Sequence, residues 1–150
     1  MAEISAKEDG LNKFISISDG TDDNRVSIYL YGSANNNISC QVRAGNTAQF
    51  SETTTGISIA SGNKIAVSYK ENLCKFFVNG IQVGATDVSA TIPSGLNTLE
   101  FAEGDGSQNF YGKTKQIQVF KSALTSLEIE TLTSWTSFSQ MASAQNYTIY

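Results

Sequence analysis

Apolar and polar residues alternate with a period of two along much of this chain, and no other feature of the sequence limits the fold as strongly. In residues 25–31, aliphatic side chains alternate with hydroxyl-bearing ones, namely Val26, Ile28 and Leu30 with Ser27, Tyr29 and Tyr31. Such alternation places the apolar side chains of a β-strand on one face, where they can be buried. It recurs in residues 13–18, 38–43, 64–70 and 74–78. The chain is therefore predicted to be all-β, a sandwich of antiparallel strands.

Local signals mark one tight hairpin and one helix. Asn79-Gly80 separates two apolar runs, and this pair is preferred in type I′ turns because both turn residues need a positive φ. Thr125 and Glu128 match a capping box, which predicts a short helix over residues 125–133. We expect this helix to pack on an edge or an opening of the sandwich, with Trp135 where the helix meets the sheet.

The remaining strands and the domain limits follow from the same pattern. Strands are predicted at residues 96–101 and 113–120, whereas residues 47–63, rich in Ser, Thr and Gly, predict one or two weak strands and a long loop. No linker, repeat or low-complexity tract interrupts the chain. Its 150 residues suffice for one core, so residues 1–150 are predicted to form a single domain.

Composition and charge exclude several classes of function. The formal net charge is -4, so no general attraction to nucleic acid or to anionic membranes is expected. The sequence contains no histidine, which removes the usual general base and the imidazole metal ligands. No run approaches the roughly 18 apolar residues of a membrane helix, so we expect no membrane insertion. Most enzyme mechanisms are disfavoured, and the chain is predicted not to be an enzyme.

The two cysteines, Cys40 and Cys74, both lie among alternating apolar residues. Two cysteines are too few for a zinc site or a dense disulfide framework. A free cysteine packs as a small hydrophobic residue, so buried free thiols are the main prediction. A single cross-strand disulfide is the alternative.

One pair of carboxylates invites a catalytic interpretation. Glycoside hydrolysis needs two carboxylates facing the sugar, and Glu103-Gly104-Asp105 is the nearest candidate. The glycines around these residues indicate a loop, however, and loosely held carboxylates make a poor acid–base pair. We therefore expect no catalytic residues here.

Calcium is the candidate cation, because acidic loops supply the oxygen ligands that a hard cation prefers. The predicted metal ligands are Asp19, Asp22, Asp23 and Asn24. A second acidic loop contains Glu103 and Asp105. Turns also favour Asp and Asn for their own backbone hydrogen bonds, which is the simpler explanation of both loops.

Sugar binding combines an aromatic platform with hydrogen-bonding side chains. The predicted ligand-binding residues are Tyr29, Tyr31, Asp105, Asn109, Phe110 and Tyr111. Aromatic residues on strands also serve as core or sheet-surface packing, which is the alternative for these aromatic residues. Arg25 is expected to hold a turn carboxylate rather than a ligand.

Three stretches of the chain resemble the concanavalin A-like lectin/glucanase superfamily, in particular the laminin G-like domains of phage tail-fibre and other virion proteins. They are residues 15–26, residues 64–80, and residues 110–129 with the closing Asn146-Tyr147-Thr148. Related laminarinase-like enzymes place their carboxylates as Glu-x-Asp-x-x-Glu along one strand. Here the third position is Gln108, so the catalytic pattern is incomplete.

The resemblance implies a jelly-roll β-sandwich of two antiparallel sheets with one short C-terminal helix. It also implies a non-catalytic module that binds a glycan or host-surface polysaccharide, as part of a phage virion protein made in the bacterial cytoplasm. We expect the chain to be a domain excised from a larger parent that forms a homo-oligomer. The alternatives are a structural capping or decoration domain that binds no sugar, and an accessory binding module of a glycoside hydrolase.

Overall fold

A computed structural model describes residues 1–32 and 36–134. These residues form ten strands and one helix. In chain order they are β1 Ala2–Ala6, β2 Asn12–Ser18, β3 Arg25–Tyr31, β4 Asn37–Ala44, β5 Thr47–Thr54, β6 Asn63–Lys70, β7 Leu73–Val78, β8 Ile81–Asp87, β9 Thr98–Glu100, β10 Gly112–Ile117 and α1 Ser126–Ser134. No helix among the described residues combines the length and apolar character that crossing a membrane requires.

The strands form two five-stranded antiparallel sheets, which confirms the predicted sandwich. Sheet I has the order β10-β1-β6-β7-β8, and sheet II has the order β5-β4-β3-β2-β9. Their inner faces enclose one apolar core, to which Ile4 and Phe76 contribute from sheet I and Leu30 and Val42 from sheet II. The inward residues of β3 are buried as the alternation predicted, because burying one face of each sheet is what holds the two layers together.

The local turn and helix signals produce the predicted elements. Asn79 and Gly80 adopt φ values of 51° and 84° and join β7 to β8 in a tight hairpin. Thr125 N donates to Glu128 Oε2 at 2.7 Å, and Glu128 N donates to Thr125 Oγ1 at 3.3 Å, so the capping box forms. Helix α1 covers the outer face of sheet I, with Ile129 packed on Ala66 and Phe77.

The position of the helix and the limits of two strands differ from the prediction. The helix lies on a sheet face rather than on an edge or an opening, because Ala66 and Phe77 leave an apolar patch on the outer side of sheet I that only a further layer can bury. Strand β10 ends at Ile117 rather than at residue 120, and β9 has only three residues. Trp135 and the segment 146–148 lie outside the described residues.

Both cysteines are buried free thiols, as predicted. Cys40 faces the core from β4 and Cys74 from β7. Burial raises the pKa of the Cys74 thiol to about 11, and it raises the pKa of Cys40 as well. Neither thiol is therefore available as a thiolate for metal binding or nucleophilic attack near neutral pH.

Candidate functional site

The outer face of sheet II carries the polar side chains that alternate with the core residues, and we call it the polar face. The strand register sets them in rows across the sheet. These rows are Phe14, Tyr29, Ser39 and Thr53, then Ser16, Ser27, Gln41 and Ser51, and then Ser18, Arg25 and Arg43. The Ser39 and Thr53 hydroxyls lie 2.9 Å apart and bond each other. Phe14, Arg25 and the serines at positions 16, 18, 27 and 39 are buried, so the accessible part of the polar face consists of Tyr29, Gln41, Arg43, Ser51 and Thr53.

An aromatic stack lies in the first of these rows. The rings of Phe14 and Tyr29 are 4.7 Å apart between centroids and inclined by 13°. Phe14 is buried, whereas Tyr29 is partly exposed. Tyr31, also partly exposed, follows on the same face of β3. The Tyr29 ring, supported by buried Phe14, therefore offers a flat apolar surface beside hydroxyl and amide groups.

Arg25 is the electrostatic centre of this region. It is only 3% exposed. Its Nη1 donates to Asp22 O at 2.9 Å, while Nη2 donates to Gln41 Oε1 at 3.0 Å and to Glu103 Oε1 at 2.8 Å. Asp22 Oδ1 also lies 2.9 Å from Nη1, but off the line of a hydrogen bond, so that contact is ionic rather than directional. As expected from the sequence, Arg25 holds a turn carboxylate, and it binds Glu103 in addition.

The loop of residues 101–109 is fixed against the edge of sheet II. Ser16 Oγ donates to Ala102 O at 2.8 Å, and Ser18 Oγ donates to Gly104 O at 3.2 Å. A Cβ at position 104 would lie 2.3 Å from Thr21 O, so only glycine lets this loop approach the turn at residues 19–24 so closely. The two loops are thereby held together above Arg25.

The geometry of Glu103 argues against the catalytic interpretation. One carboxylate oxygen accepts from Arg25 and the other accepts from Gln108 Nε2. A buried carboxylate whose two oxygens are both held by protein groups is poorly placed to protonate a glycosidic oxygen. Its neighbour Asp105 is exposed, and hydrogen bonds from Ser107 hold the pKa of Asp105 below its ordinary value, so it is an ionised group in solvent rather than an acid.

The predicted calcium ligands do not converge on one point. Asp19 accepts from Thr21 N at 3.0 Å and from Asn24 Nδ2 at 2.8 Å, and its hydrogen bonds from Thr21 and Asn24 hold its pKa below the ordinary value. Asn24 Oδ1 accepts from Gly45 N at 3.0 Å. These oxygens accept hydrogen bonds from this turn and from the neighbouring turn between β4 and β5. Calcium binding by Asp19, Asp22, Asp23 and Asn24 stays a prediction.

The structure instead brings one residue of the first acidic loop to the second. Among the described residues, Asp22, Glu103 and Asp105 form the one group of three carboxylates whose oxygens lie within 4.8 Å of one another. Arg25 forms ion pairs with two of the three. The guanidinium already supplies the positive charge that a cation would bring, so the cluster is explained without a metal.

The six predicted ligand-binding residues fall into two groups. Tyr29 and Tyr31 lie on the polar face, and Asp105 and Asn109 are exposed on the adjoining loop. Phe110 instead packs on the core and lies 6.1 Å from the Phe101 ring. Tyr111 is 59% exposed, and its carbonyl accepts from Lys7 N, which places it beside sheet I. The structure therefore brings four of the six to the same part of the molecule.

The sequence analysis did not assign a role to several polar-face residues. Ser39 and Thr53 share the row of the aromatic stack, and Gln41 and Arg43 lie in the next two rows. The alternation along β4 already indicated that Ser39, Gln41 and Arg43 point away from the core. Nothing local showed that β4 pairs with β3 in the register that places Ser39 beside Tyr29. The missing information was strand pairing rather than side-chain direction.

Comparison with known proteins finds one family model that matches most of this chain. The model describes the concanavalin A-like lectin/glucanases superfamily and matches residues 4–130. No curated protein matches the sequence.

Solved structures with the same fold include carbohydrate-binding modules. The CBM40 module of the Ruminococcus gnavus IT-sialidase, bound to α2,6-sialyllactose, superposes with a TM-score of 0.69 at 17% identity, covering 88% of this chain and 79% of the module. The α2,3-sialyllactose complex gives a TM-score of 0.68 at 17% identity, with coverages of 88% and 79%. The leech intramolecular trans-sialidase complexed with 2,7-anhydro-Neu5Ac gives 0.61 at 19% identity, covering 91% of this chain but 23% of the enzyme. At these identities the likeness shows the fold alone.

Proposed function

Because this chain belongs to the concanavalin A-like lectin/glucanases superfamily, we propose that it is a non-catalytic carbohydrate-binding module whose binding surface is the polar face. One observation carries the proposal, namely the Phe14–Tyr29 stack surrounded by hydrogen-bonding side chains on an outer sheet face. The fold by itself hosts many functions, so the argument depends on this site rather than on the superfamily.

The chemistry of the polar face suits a pyranose. The axial C–H groups on one face of a sugar ring pack on an aromatic ring, and its hydroxyls need both donors and acceptors. Tyr29 supplies the ring, while Gln41 and Ser51, which are both at least partly exposed, lie in the neighbouring row. Because Arg25 holds the loop of residues 101–109 in place, Asp105 and Asn109 form a preorganised side wall.

The charge of the polar face suggests which glycans to test. Arg43 lies directly opposite Arg25 across β3 and β4 and is not fully buried. Its Nη2 donates to Asn46 O at 2.9 Å, so its Nη1 is the group that can bind a carboxylate. The CBM40 structures of the same fold contain sialyllactose, which carries such a group. Sialylated and uronic-acid glycans are therefore the first candidates, together with neutral host polysaccharides.

We propose that the parent protein is a phage virion protein, in which this module attaches the particle to its host. The support is the sequence resemblance of residues 110–129 to virion domains. A second candidate is an accessory module of a glycan-processing enzyme, favoured by the sialidase and trans-sialidase structures of the same fold. Both candidates require glycan binding and differ in the parent chain, so the sequence of the parent gene separates them.

A glycan array followed by calorimetric titration tests the binding proposal. Tyr29→Ala is expected to weaken binding about tenfold, since loss of an aromatic contact costs about 1.4 kcal/mol. Phe120→Ala is the matched control, because Phe120 is an aromatic residue 45% exposed that follows β10 in sheet I, away from the polar face. Titrations with calcium and with a chelator show whether the turn at residues 19–24 contributes.

Three outcomes would contradict the proposal. Absence of binding to every glycan on the array would favour a structural capping domain. Equal losses in Tyr29→Ala and Phe120→Ala, with unchanged melting temperatures, would place the sugar elsewhere. Release of reducing sugar that Glu103→Gln abolishes would instead make the chain a hydrolase.

A further inference from the structure

The hairpin turn between β7 and β8 contains a pair of residues that is prone to spontaneous chemical change. Asn79 is the only asparagine of the sequence that a glycine follows. Asparagine is thermolabile, and a following glycine speeds its deamidation because no side chain hinders the approach of the glycine nitrogen. The turn needs this pair, since both residues have a positive φ. The fold therefore keeps a reactive pair at a turn where Asn79 is exposed.

The side-chain amide of Asn79 is held by strand β6. Its Oδ1 accepts from Lys64 N at 2.9 Å, and its Nδ2 donates to Asn63 Oδ1 at 2.9 Å. Asn63 is 1% exposed, and its own Nδ2 donates to the carbonyl oxygens of Ser58 and Ser61 at 2.9 Å each. Asn63 therefore presents an acceptor at this position, and only an amide at position 79 can donate to it.

The backbone nitrogen of Gly80 is held by a different element, helix α1. Gly80 N donates to Thr133 Oγ1 at 3.1 Å, and Thr133 is 1% exposed. A Cβ on Gly80 would lie 3.0 Å from Ser134 Cα, so the last turn of the helix lies directly against the hairpin turn. The two groups that react in deamidation, the Asn79 amide and the Gly80 nitrogen, are thus bound to separate partners.

Deamidation begins when the Gly80 nitrogen loses its proton to hydroxide and attacks Cγ of Asn79. A bond from this nitrogen to Cγ closes a succinimide ring, and the Cγ–Nδ2 bond breaks, so that ammonia leaves with a proton taken from water. Water then opens the ring at either carbonyl and leaves an aspartyl or an isoaspartyl residue, without oxidation or reduction. The first step requires the Gly80 N–H to leave Thr133, because an amide proton in a buried hydrogen bond is protected from hydroxide.

We propose that Asn79-Gly80 is a latent site of spontaneous deamidation that α1 keeps closed, so that residue 79 is modified when the C-terminal end of the helix leaves sheet I. The modification then weakens the contact to which the helix returns. An aspartyl side chain has no donor for Asn63 Oδ1, and an isoaspartyl linkage adds one backbone carbon before the Gly80 nitrogen. The proposal is independent of glycan binding, because this turn lies in sheet I and the polar face in sheet II.

The rate of deamidation at Asn79 is measured by incubating the full chain in mildly alkaline buffer. Peptide mapping by mass spectrometry then separates the aspartyl from the isoaspartyl product. The reference is the acetylated and amidated peptide of residues 75–83, which has the same sequence around the pair but no helix. The native chain should react at least about tenfold more slowly than the peptide, because a local opening has to precede the reaction.

Three variants locate the source of this protection. Thr133→Val removes the acceptor and keeps the shape, and it should speed deamidation about fivefold, the factor that corresponds to a hydrogen bond of about 1 kcal/mol. Thr131→Val is the matched control, because Thr131 is an exposed residue of the same helix, and it should leave the rate unchanged. Ile129→Ala removes packing of α1 on Ala66 and Phe77, and it should also raise the rate. Far-ultraviolet circular dichroism shows whether each variant is folded during the incubation.

Other results would overturn the proposal. If Asn79 reacts as fast in the native chain as in the peptide, α1 does not close the site. If the native chain is slow and neither Thr133→Val nor Ile129→Ala speeds the reaction, the bonds of Asn79 to β6 protect the site and the role assigned to α1 is wrong. If Thr131→Val speeds the reaction as much as Thr133→Val does, the hydrogen bond from Gly80 is not the source of protection.

The effect of the modification on the fold has its own test. Asn79→Asp imitates the aspartyl product, and it should unfold at a lower urea concentration than the native chain, because the donor to Asn63 Oδ1 is lost. An unchanged unfolding midpoint would show that the modification does not weaken the contact between the turn and the rest of sheet I.

Discussion

Replacing Arg25 with methionine should destabilise the protein strongly, because it leaves a buried carboxylate without its counter-charge. The side chains of Arg25 and Glu103 are 4% and 11% exposed, and they lie 2.8 Å apart. Methionine keeps most of the volume of the arginine stem, but it has no donors and lacks the guanidinium that lies 6.0 Å from the centroid of the Phe14 ring. Asp22 O and Gln41 Oε1 lose their partners in the same substitution.

The size of the expected loss of stability follows from this burial. Removing one partner of a buried ion pair costs about 3–5 kcal/mol. For a chain of this length, about 1 kcal/mol lowers the melting temperature by about 2–4 °C, so Arg25→Met should lower it by about 6–20 °C. The Lys115–Glu3 pair at 2.9 Å is the matched control, because Lys115 is 69% exposed. Lys115→Met should cost less than about 1 kcal/mol.

Urea unfolding monitored by far-ultraviolet circular dichroism measures both variants. The double variant Arg25→Met/Glu103→Gln should recover about 1–3 kcal/mol relative to Arg25→Met, because the uncompensated charge is gone. If Arg25→Met and Lys115→Met cost the same, or if the double variant shows no recovery, Arg25 does not hold the loop of residues 101–109 through its charge.

Three further predictions concern packing and pH. Gly104→Ala should lower the free energy of unfolding by about 1–3 kcal/mol, because the alanine Cβ would lie 2.3 Å from Thr21 O. Gly62→Ala, whose Cβ would have no atom within 4 Å, should leave the free energy of unfolding nearly unchanged in the same assay. Thr125→Ala should cost about 1 kcal/mol by removing the helix cap, and a loss below a few tenths would show that tertiary packing alone holds α1. Cys74 should not react with a thiol reagent in the native protein. Because its pKa rises from 9.0 to about 11 on folding, the free energy of unfolding should fall by about 1.4 kcal/mol per pH unit as the pH rises between these values. A free energy of unfolding that does not change over this pH range would contradict the prediction.

The sequence by itself determined the elements whose causes are local. The alternation of residues 25–31 predicted β3 and the side of it that is buried, the Asn79-Gly80 pair predicted the hairpin, and the capping box at Thr125 predicted the start of α1. Each of these signals acts between residues at most a few positions apart. The turn and the helix cap are stabilised within their own segments, whereas the alternation of β3 shows which face will be buried but not what covers it.

Tertiary structure decided which elements meet. Ala2 pairs with Ile117 at the far end of the chain, and Arg25 binds Glu103 across 78 residues. For this reason two acidic loops that looked like separate cation sites meet around one guanidinium, and the predicted ligand residues divide between two parts of the molecule. Strand order depends on how two sheets bury one common core, and local side-chain patterns do not encode that choice because many pairings would bury the same faces equally well.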